Sequence, residues 1–434
     1  MDTKDELNQG QRKAAEGFFS WLFDPSSKEL NISGPGGVGK TFLMGKLIDE
    51  ILPRYFDTCK LMGIPPEYDS VVMTATTNQA AEVLGLSTGR PTETVHSFFN
   101  LTVKDDFKTG ESILTKTRNW VVHERKIIFV DEASMVDSKL RKYILEGTHN
   151  CKLVYVGDHC QLAPVKETLS PVYRNGLPIF VLTEPMRNSK QPALMALCQQ
   201  LRDTVETGVF NPIQVVPGVI DWLDNHQIQA ELANTFLRQT LDARILAYTN
   251  PQVVGFNDYI RDLRQLPDEY SVGEMLISNS AVQLSMTSRL SIQEEVEIVE
   301  QAPLTIMEKI AAGGVELEVR ETKLRTRLGS VVSVKLPVNR EHFAQLVKYF
   351  QQAKNWERYF HLKNTYPDLR QRDAATVHKA QGSTVETVYI DVGNLSTCHQ
   401  PNTAARLLYV AATRARSRIV MYGELAQKYG GIIY

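Results

Sequence analysis

Short apolar runs alternate with amphipathic segments through the first half of the chain. LNIS (30–33) predicts a strand and TFLMGKLIDEIL (41–52) a helix; VVMTA (71–75) predicts a second strand and NQAAEVLGL (78–86) a second helix. KIIFVDE (126–132) and KLVYVGD (152–158) are apolar on both faces, as central strands of a parallel sheet are. Strand–helix alternation of this kind predicts a doubly wound α/β core. Residues 97–126 interrupt it: FFNLTVKDDF, KTGE and SILTKT predict a β-hairpin with a Gly-containing turn. A second core starts with ARILAYTN (243–250), a strand, and NPQVVGFNDYIRDLR (250–264), a helix. The rhythm then changes. VEIVE, VELEVRET and SVVSVKLPV, within 281–340, are β-like, and HFAQLVKYFQQAKNWERYFHLK (342–363) predicts one polar-aromatic helix. The α/β pattern returns at TVETVYIDVG (384–393) and RLLYVAATRA (406–415). The simplest organisation is a small β-rich domain with a helical projection, inserted into the second α/β domain. No fixed-period repeat and no low-complexity tract is visible.

Composition narrows the class without naming a function. The chain has 434 residues, room for roughly three domains at about 150 residues each. Hydrophobic residues make up 43%, which excludes collagen-like and largely disordered chains. Lys plus Arg total 48 and Asp plus Glu total 50, a net charge of −2. That excludes a protein coating nucleic acid by bulk electrostatics, but not one with a local basic groove. The charge is unevenly spread: residues 281–319 carry 2 basic and 7 acidic side chains, residues 320–372 carry 12 basic and 4 acidic. No apolar run approaches the about 18 residues that span a bilayer, and the N-terminus lacks the apolar core of a signal peptide, so a cytoplasmic protein is expected. The five scattered cysteines, without a CxxC pair, point to reduced, buried thiols.

Chemistry enters with GPGGVGKT (34–41), a complete G-x-x-x-x-G-K-[ST] pattern between a predicted strand and a predicted helix. Gly34, Gly36, Gly37 and Gly39 let the backbone around Val38 curl about phosphate oxygens, and the helix start at Phe42 adds its dipole. Lys40 suits the β- and γ-phosphates of ATP, and Thr41 suits Mg²⁺. FVDEAS (129–134) ends a strand with two acids: Asp131 for the metal ion and Glu132 to polarise an attacking water. VGDHCQL (156–162) ends the next strand, and its Gln161 can sense or orient groups at the γ-phosphate. His159 and Cys160 alone are too few to argue for a metal site. Arg187 in LTEPMRN and Arg414 in YVAATRAR are candidate phosphate contacts, the latter as a finger from the second core.

Taken in order, these motifs resemble those of superfamily 1 DNA helicases, most closely subclass B, the phage Dda-type and RecD-like proteins. NQGQ resembles the Q motif, with Gln11 placed for adenine; TATTNQAAEVL (74–84) resembles motif Ia, TVHSFF (94–99) motif Ib, ATVHKAQGSTVETVYI (375–390) motif V and LLYVAATRAR motif VI. GPGGVGKT is then motif I, VDEAS motif II, GDHCQLAPV motif III, and EPMR, with Arg187, motif IV. Motif Ia departs from relatives in lacking their proline, but keeps Thr76, Thr77 and Asn78. The resemblance implies two RecA-like P-loop NTPase cores. Domain 1A would span 1–95 and 127–187, domain 1B (the pin hairpin) 96–126, domain 2A 188–280 and 374–434, and domain 2B (SH3-like, with a helical tower) 281–373. It implies ATP and Mg²⁺ as cofactors and single-stranded and forked DNA as partners. It further implies 5′-to-3′ travel, action as a monomer, and a single-strand-binding protein or replisome as a possible protein partner.

Within that family, catalysis is expected from Lys40, Glu132, Gln161, Arg187 and Arg414. Thr76, Thr77, Asn78, His96, Ser97, Thr376, His378 and Lys379 suit phosphate contacts, which position DNA without reading sequence. Gln381 and Gly382 could link DNA to the nucleotide site. Phe98 is a candidate base platform, with core burial as the competing role. Phe107, beside the KTGE turn, is the first candidate for the aromatic at the pin tip and Trp120 the second, against core packing for both. The helix at 342–363 has two readings, a partner-binding face or a solvated one. Two further functions remain open beside the helicase. One is a translocase that remodels protein–DNA or branched DNA with weak unwinding. The other is a non-catalytic single-strand-binding subunit, against which Lys40, Glu132 and Arg414 argue.

Overall fold

The computed structural model describes residues 6–164, 167–174, 176–184, 191–283, 289–311, 314–327 and 329–433. It divides into two compact units. The first is Met1–Val103, Leu114–Phe210 and Gln400–Thr413; the second is Lys104–Ile113, Asn211–His399 and Arg414–Tyr434.

The first unit is built on a six-stranded sheet in the order Ile179–Val181, Glu29–Ser33, Lys152–Gly157, Lys126–Asp131, Ser70–Ala75, Thr92–Thr94, with every pairing parallel. The three central strands are almost wholly buried, which is why their sequences are continuous apolar runs. The strand period of two divides those runs between two cores. Ile127, Phe129, Val154 and Val156 join Ala14, Phe18 and Leu43 on one face. Ile128, Val130, Leu153 and Tyr155 join Val95, Phe99 and Ile144 on the other.

The helix predicted at 41–52 is longer than expected and not uniform. It runs Lys40–Lys46, widens to a π turn at Leu47–Ile51, and continues as Leu52–Leu61. Pro53 sits at the start of the last piece. Its ring collides with the carbonyl four residues back and it has no N–H, so a widened turn before it relieves both faults.

The second unit contains a five-stranded parallel sheet in the order Ile220–Leu223, Ala415–Tyr422, Val385–Asp391, Ala243–Ala247, Ala374–Thr376. Its inserted β domain is an antiparallel sheet in the order Ile306–Ala311, Val315–Thr326, Glu295–Gln301, Met275–Ser278, Leu369–Gln371, with Val331–Pro337 also on Val315–Thr326. The single helix predicted at 342–363 is two helices, Arg340–Gln352 and Trp356–Thr365. Lys354 takes φ 52 between them, and the Asn355 side chain caps the second by accepting from Arg358 N. Asn at that position competes with the helical backbone, a break that the apolar spacing alone does not reveal. Phe350, Leu362 and Tyr366 bury the pair against Ile310, Leu317 and Val319 of the sheet.

The predicted hairpin forms from Leu101–Asp105 and Ser112–Lys116. Its outer part, 104–113, clusters with the second unit. There Phe107 meets Phe360 edge-on at 5.5 Å, and Asn364 Nδ2 donates to Asp105 Oδ2 at 2.7 Å. Gly110 has φ 75 and so close an approach to Trp356 that a Cβ would lie 2.4 Å from the indole. Among the described residues, no helix is long and apolar enough to cross a membrane.

Candidate nucleotide and nucleic-acid sites

The first parallel sheet brings three predicted motifs to the carboxyl ends of adjacent strands. GPGGVGKT follows Glu29–Ser33, the Asp158–Gln161 turn follows Lys152–Gly157, and the Asp131–Glu132 pair ends Lys126–Asp131. This is the edge where open α/β sheets bind ligands. Gly34 N donates to Gly157 O at 3.0 Å, so the first two loops leave the sheet together. Gly34 has no room for a side chain: a Cβ would meet Leu182 O at 2.6 Å. Gly37 and Gly39 take φ 87 and 78, and Gly39 caps the helix that starts at Lys40. Lys40 Nζ donates to the carbonyls of Gly34 (2.7 Å) and Pro35 (2.9 Å), which lays the ammonium across the loop. Thr41 and Phe42 follow in the first turn of the same helix.

Gln11 is fully buried. Its Oε1 accepts from Asn8 N (3.1 Å) in a capping box, and its Nε2 donates to Val38 O (3.1 Å). The residue expected to read adenine thus also braces the P-loop.

Asp131 and Glu132 close the strand in an unusual setting. Burial, then the neighbouring Glu132 charge, pushes the Asp131 carboxyl up to about 7, with Lys40 pulling the other way. Glu132 takes φ 53, a conformation that favours glycine, and caps the short Ala133–Met135 turn. Thr76 holds this backbone: its N donates to Asp131 O and its Oγ1 to Glu132 O, both at 3.2 Å. The Thr76 hydroxyl, expected on DNA phosphate, is therefore engaged with motif II.

Asp158 lies at the centre of a buried network. Arg202 Nη1 donates to its Oδ1 at 2.7 Å and Tyr409 Oη to its Oδ2 at 2.6 Å. Burial pushes Asp158 up, yet the charges of Arg202 and Lys40 hold it below the usual carboxylate range. Asp158, His159 and Cys160 each bring a ligand atom within 4.8 Å of one another. The positive charge in that cluster is the Arg202 guanidinium, whose Nε also lies 3.3 Å from Glu206. Gln161 Oε1 accepts from Ser134 Oγ at 3.4 Å, which links motif III to motif II.

The remaining expected residues divide by environment. Thr77 and Asn78 are exposed, with Thr77 capping the helix Asn78–Thr88. Thr94–Val95–His96 and Thr376–Val377–His378 fold alike. Each threonine Oγ1 caps a four-residue helix, accepting from Ser97 N (3.1 Å) and Lys379 N (3.3 Å). Ser97 and His378 are exposed, His96 is half-buried, and Lys379 Nζ is bonded to Asn279. Phe98 stacks one face on His123 at 4.0 Å. Trp120 packs on the first unit's core with Lys116 Nζ 3.6 Å over its ring, whereas Phe107 is 57% exposed. Arg414 is buried in the second unit, with Nη1 donating to Ser383 O at 3.1 Å. Arg187 lies outside the described residues.

Sequence reasoning passed over Arg202, Glu206, Arg406 and Tyr409. Arg406 and Tyr409 lie within the RLLYVAATRA segment. Arg202 has a fainter signal, a cation directly after Leu201 in the apolar stripe Leu194–Leu197–Leu201–Val205.

Residues 6–214 match the AAA domain family, and residues 373–422 match the UvrD-like helicase C-terminal domain family. The chain is 23% identical to the ATP-dependent DNA helicase dda of Enterobacteria phage T4, over 95% of this chain and 98% of that one. It is similar in fold to Pif1 helicase from Bacteroides in complex with ADP-AlF3 and ssDNA (TM-score 0.51, 14% identity, 99% of this chain and 95% of that one). A second Pif1 structure, solved to describe unwinding of forked dsDNA by two coordinating helicases, matches with a TM-score of 0.50 and 16% identity over 99% and 94% of the chains. The two parallel sheets are thus those of two RecA-like cores.

Proposed function

We propose that this chain, a superfamily 1B helicase of the Dda and Pif1 type, is an ATP-driven motor that travels 5′ to 3′ on single-stranded DNA and separates the duplex ahead of it. The observation that carries this reading is the convergence of motifs I, II and III at the carboxyl edge of one sheet. There, Lys40 binds the β- and γ-phosphates, Glu132 accepts the proton of the attacking water, and Gln161 senses the γ-phosphate. Arg187 and Arg414 supply positive charge to the transferring phosphoryl group. Hard oxygen donors at Thr41 and Asp131 fit Mg²⁺, and a divalent cation offsets the burial and the Glu132 repulsion that raise the Asp131 carboxyl. Bound there, Mg²⁺ would neutralise phosphate charge.

DNA is proposed to lie along the exposed groups of the two T-V-H turns, Ser97 and His378, with Thr77, Asn78, Lys379 and Phe98. The 97–126 hairpin acts as the pin (domain 1B), and the β insertion with its helices acts as domain 2B. The packing of Phe107 and Gly110 on Phe360 and Trp356 supports a hairpin stiff enough to part a duplex, and it favours unwinding over remodelling alone. It also puts part of Phe107 against protein, so the aromatic serves the hairpin's rigidity as well as the junction. A fork-unwinding assay with 5′-tailed and 3′-tailed substrates tests the reading. Unwinding of the 5′-tailed fork alone is expected; unwinding of the 3′-tailed fork alone contradicts the direction, and of neither contradicts the helicase.

A further inference from the structure

The Asp158–Gln161 turn is gripped by side chains that the proposed chemistry does not use. Arg406 Nη1 donates to two main-chain carbonyls of the turn, His159 O at 2.5 Å and Gln161 O at 2.6 Å. Its Nε donates to Asn402 Oδ1 at 2.9 Å, which fixes the plane of the guanidinium. Arg202 and Tyr409 hold the Asp158 carboxylate at the start of the same turn. Asp158, Arg202, Arg406 and Tyr409 are all less than 10% exposed. The turn also meets the P-loop strand through His159 Nδ1 and Ser33 Oγ (2.7 Å) and motif II through Gln161 and Ser134.

Burial works against the charge of Arg406, and among the described residues it makes no ion pair. A buried guanidinium spent on two backbone carbonyls is a costly way to stabilise a loop. Its return is geometric, because a planar fork fixes two acceptors that a flexible ammonium would not. Arg406 and Tyr409 project from the helix Pro401–Ala412, and Arg414 follows that helix by two residues.

We propose that Arg406 is a positioning residue for Gln161. It sets the main chain that aims the glutamine at the phosphate end of the site, and it joins that setting to the helix leading to Arg414. Arg202 and Tyr409 are the second grip on the same turn. The proposal rests on the motor reading above, in which Gln161 senses the γ-phosphate, and adds that DNA accelerates ATP turnover through this glutamine.

The test uses the full chain and measures kcat and KM for ATP with and without saturating single-stranded DNA. The ratio of DNA-stimulated to basal turnover is the readout, because a loss of folded protein cancels from it. For Arg406→Ala the ratio is expected to fall by about tenfold or more while KM for ATP moves by less than about threefold. Arg406→Lys, with charge and stem but no fixed fork, should fall between, and Tyr409→Phe should fall less than Arg406→Ala. If Arg406→Ala does not fold, Arg406→Lys carries the test with an expected fall of at least about threefold. An unchanged ratio in either variant, with the wild type stimulated by DNA, overturns the positioning role alone. A wild type that DNA does not stimulate overturns the motor reading and this proposal together.

Discussion

Two strand-to-helix junctions, one in each parallel core, are built in opposite ways. In the first, the strand Glu29–Ser33 runs into a glycine loop whose lysine, Lys40, reaches back across it to Gly34 O and Pro35 O. In the second, the strand Ala243–Ala247 runs into Tyr248 and Thr249 before its helix. Asn394 Oδ1 accepts from both Tyr248 N (2.8 Å) and Thr249 N (2.9 Å). The Asn394 amide thus plugs two backbone N–H groups at this strand end. Among the described residues, the first core has no such plug at Gly36–Gly39. Yet both cores keep the Thr-Val-His cap at a parallel sheet edge. The contrast agrees with the proposed division of duties, nucleotide at the first core and DNA backbone along both.

The largest effect should come from breaking the first core's loop. Lys40→Ala should lower ATP turnover by about a thousandfold or more, while single-stranded DNA binding, read by fluorescence anisotropy, stays within about threefold. Next, Arg414→Ala should cost about 10³ in kcat with a far smaller change in affinity for a fluorescent ATP analogue. Equal losses in both would remove the finger role. Deleting residues 103–115 should abolish strand separation while DNA-stimulated phosphate release stays within about threefold; persistent unwinding would show that the hairpin is not the pin. Smallest is the plug of the second core. Asn394→Ala strands two backbone donors and should destabilise the chain by about 1–3 kcal/mol in denaturant titration, with KM for ATP unchanged. A shift in KM would mean that this junction serves the nucleotide after all.

The candidate nucleotide site was legible as a cluster because its motifs are local in sequence. A glycine loop, a lysine and two acids at strand ends declare themselves by spacing, and the apolar runs at 126–132 and 152–158 place them at the sheet edge. Arg202 was not legible, because its partner Asp158 lies 44 residues away and only folding brings them to 2.7 Å. The double duty of Thr76 and Gln11 was hidden for the same reason, since their oxygens and nitrogens meet backbone groups of remote loops. Apolar periodicity carried straight through Ala353–Asn355, where an asparagine cap and a positive φ split one predicted helix into two. The charge split within the insertion was visible, but its placement was not: Lys323 and Arg325 pair with Glu300 and Glu297 across neighbouring strands, and Lys335 pairs with Glu308. Much of that basic surplus is therefore neutralised locally, and a net charge near zero is compatible with a DNA track confined to a few exposed turns.

Phosphate release by the full chain, with and without saturating single-stranded DNA, tests the central claim most directly. A DNA-driven motor of this design should be accelerated by about tenfold or more. The same rate with and without DNA would contradict the account.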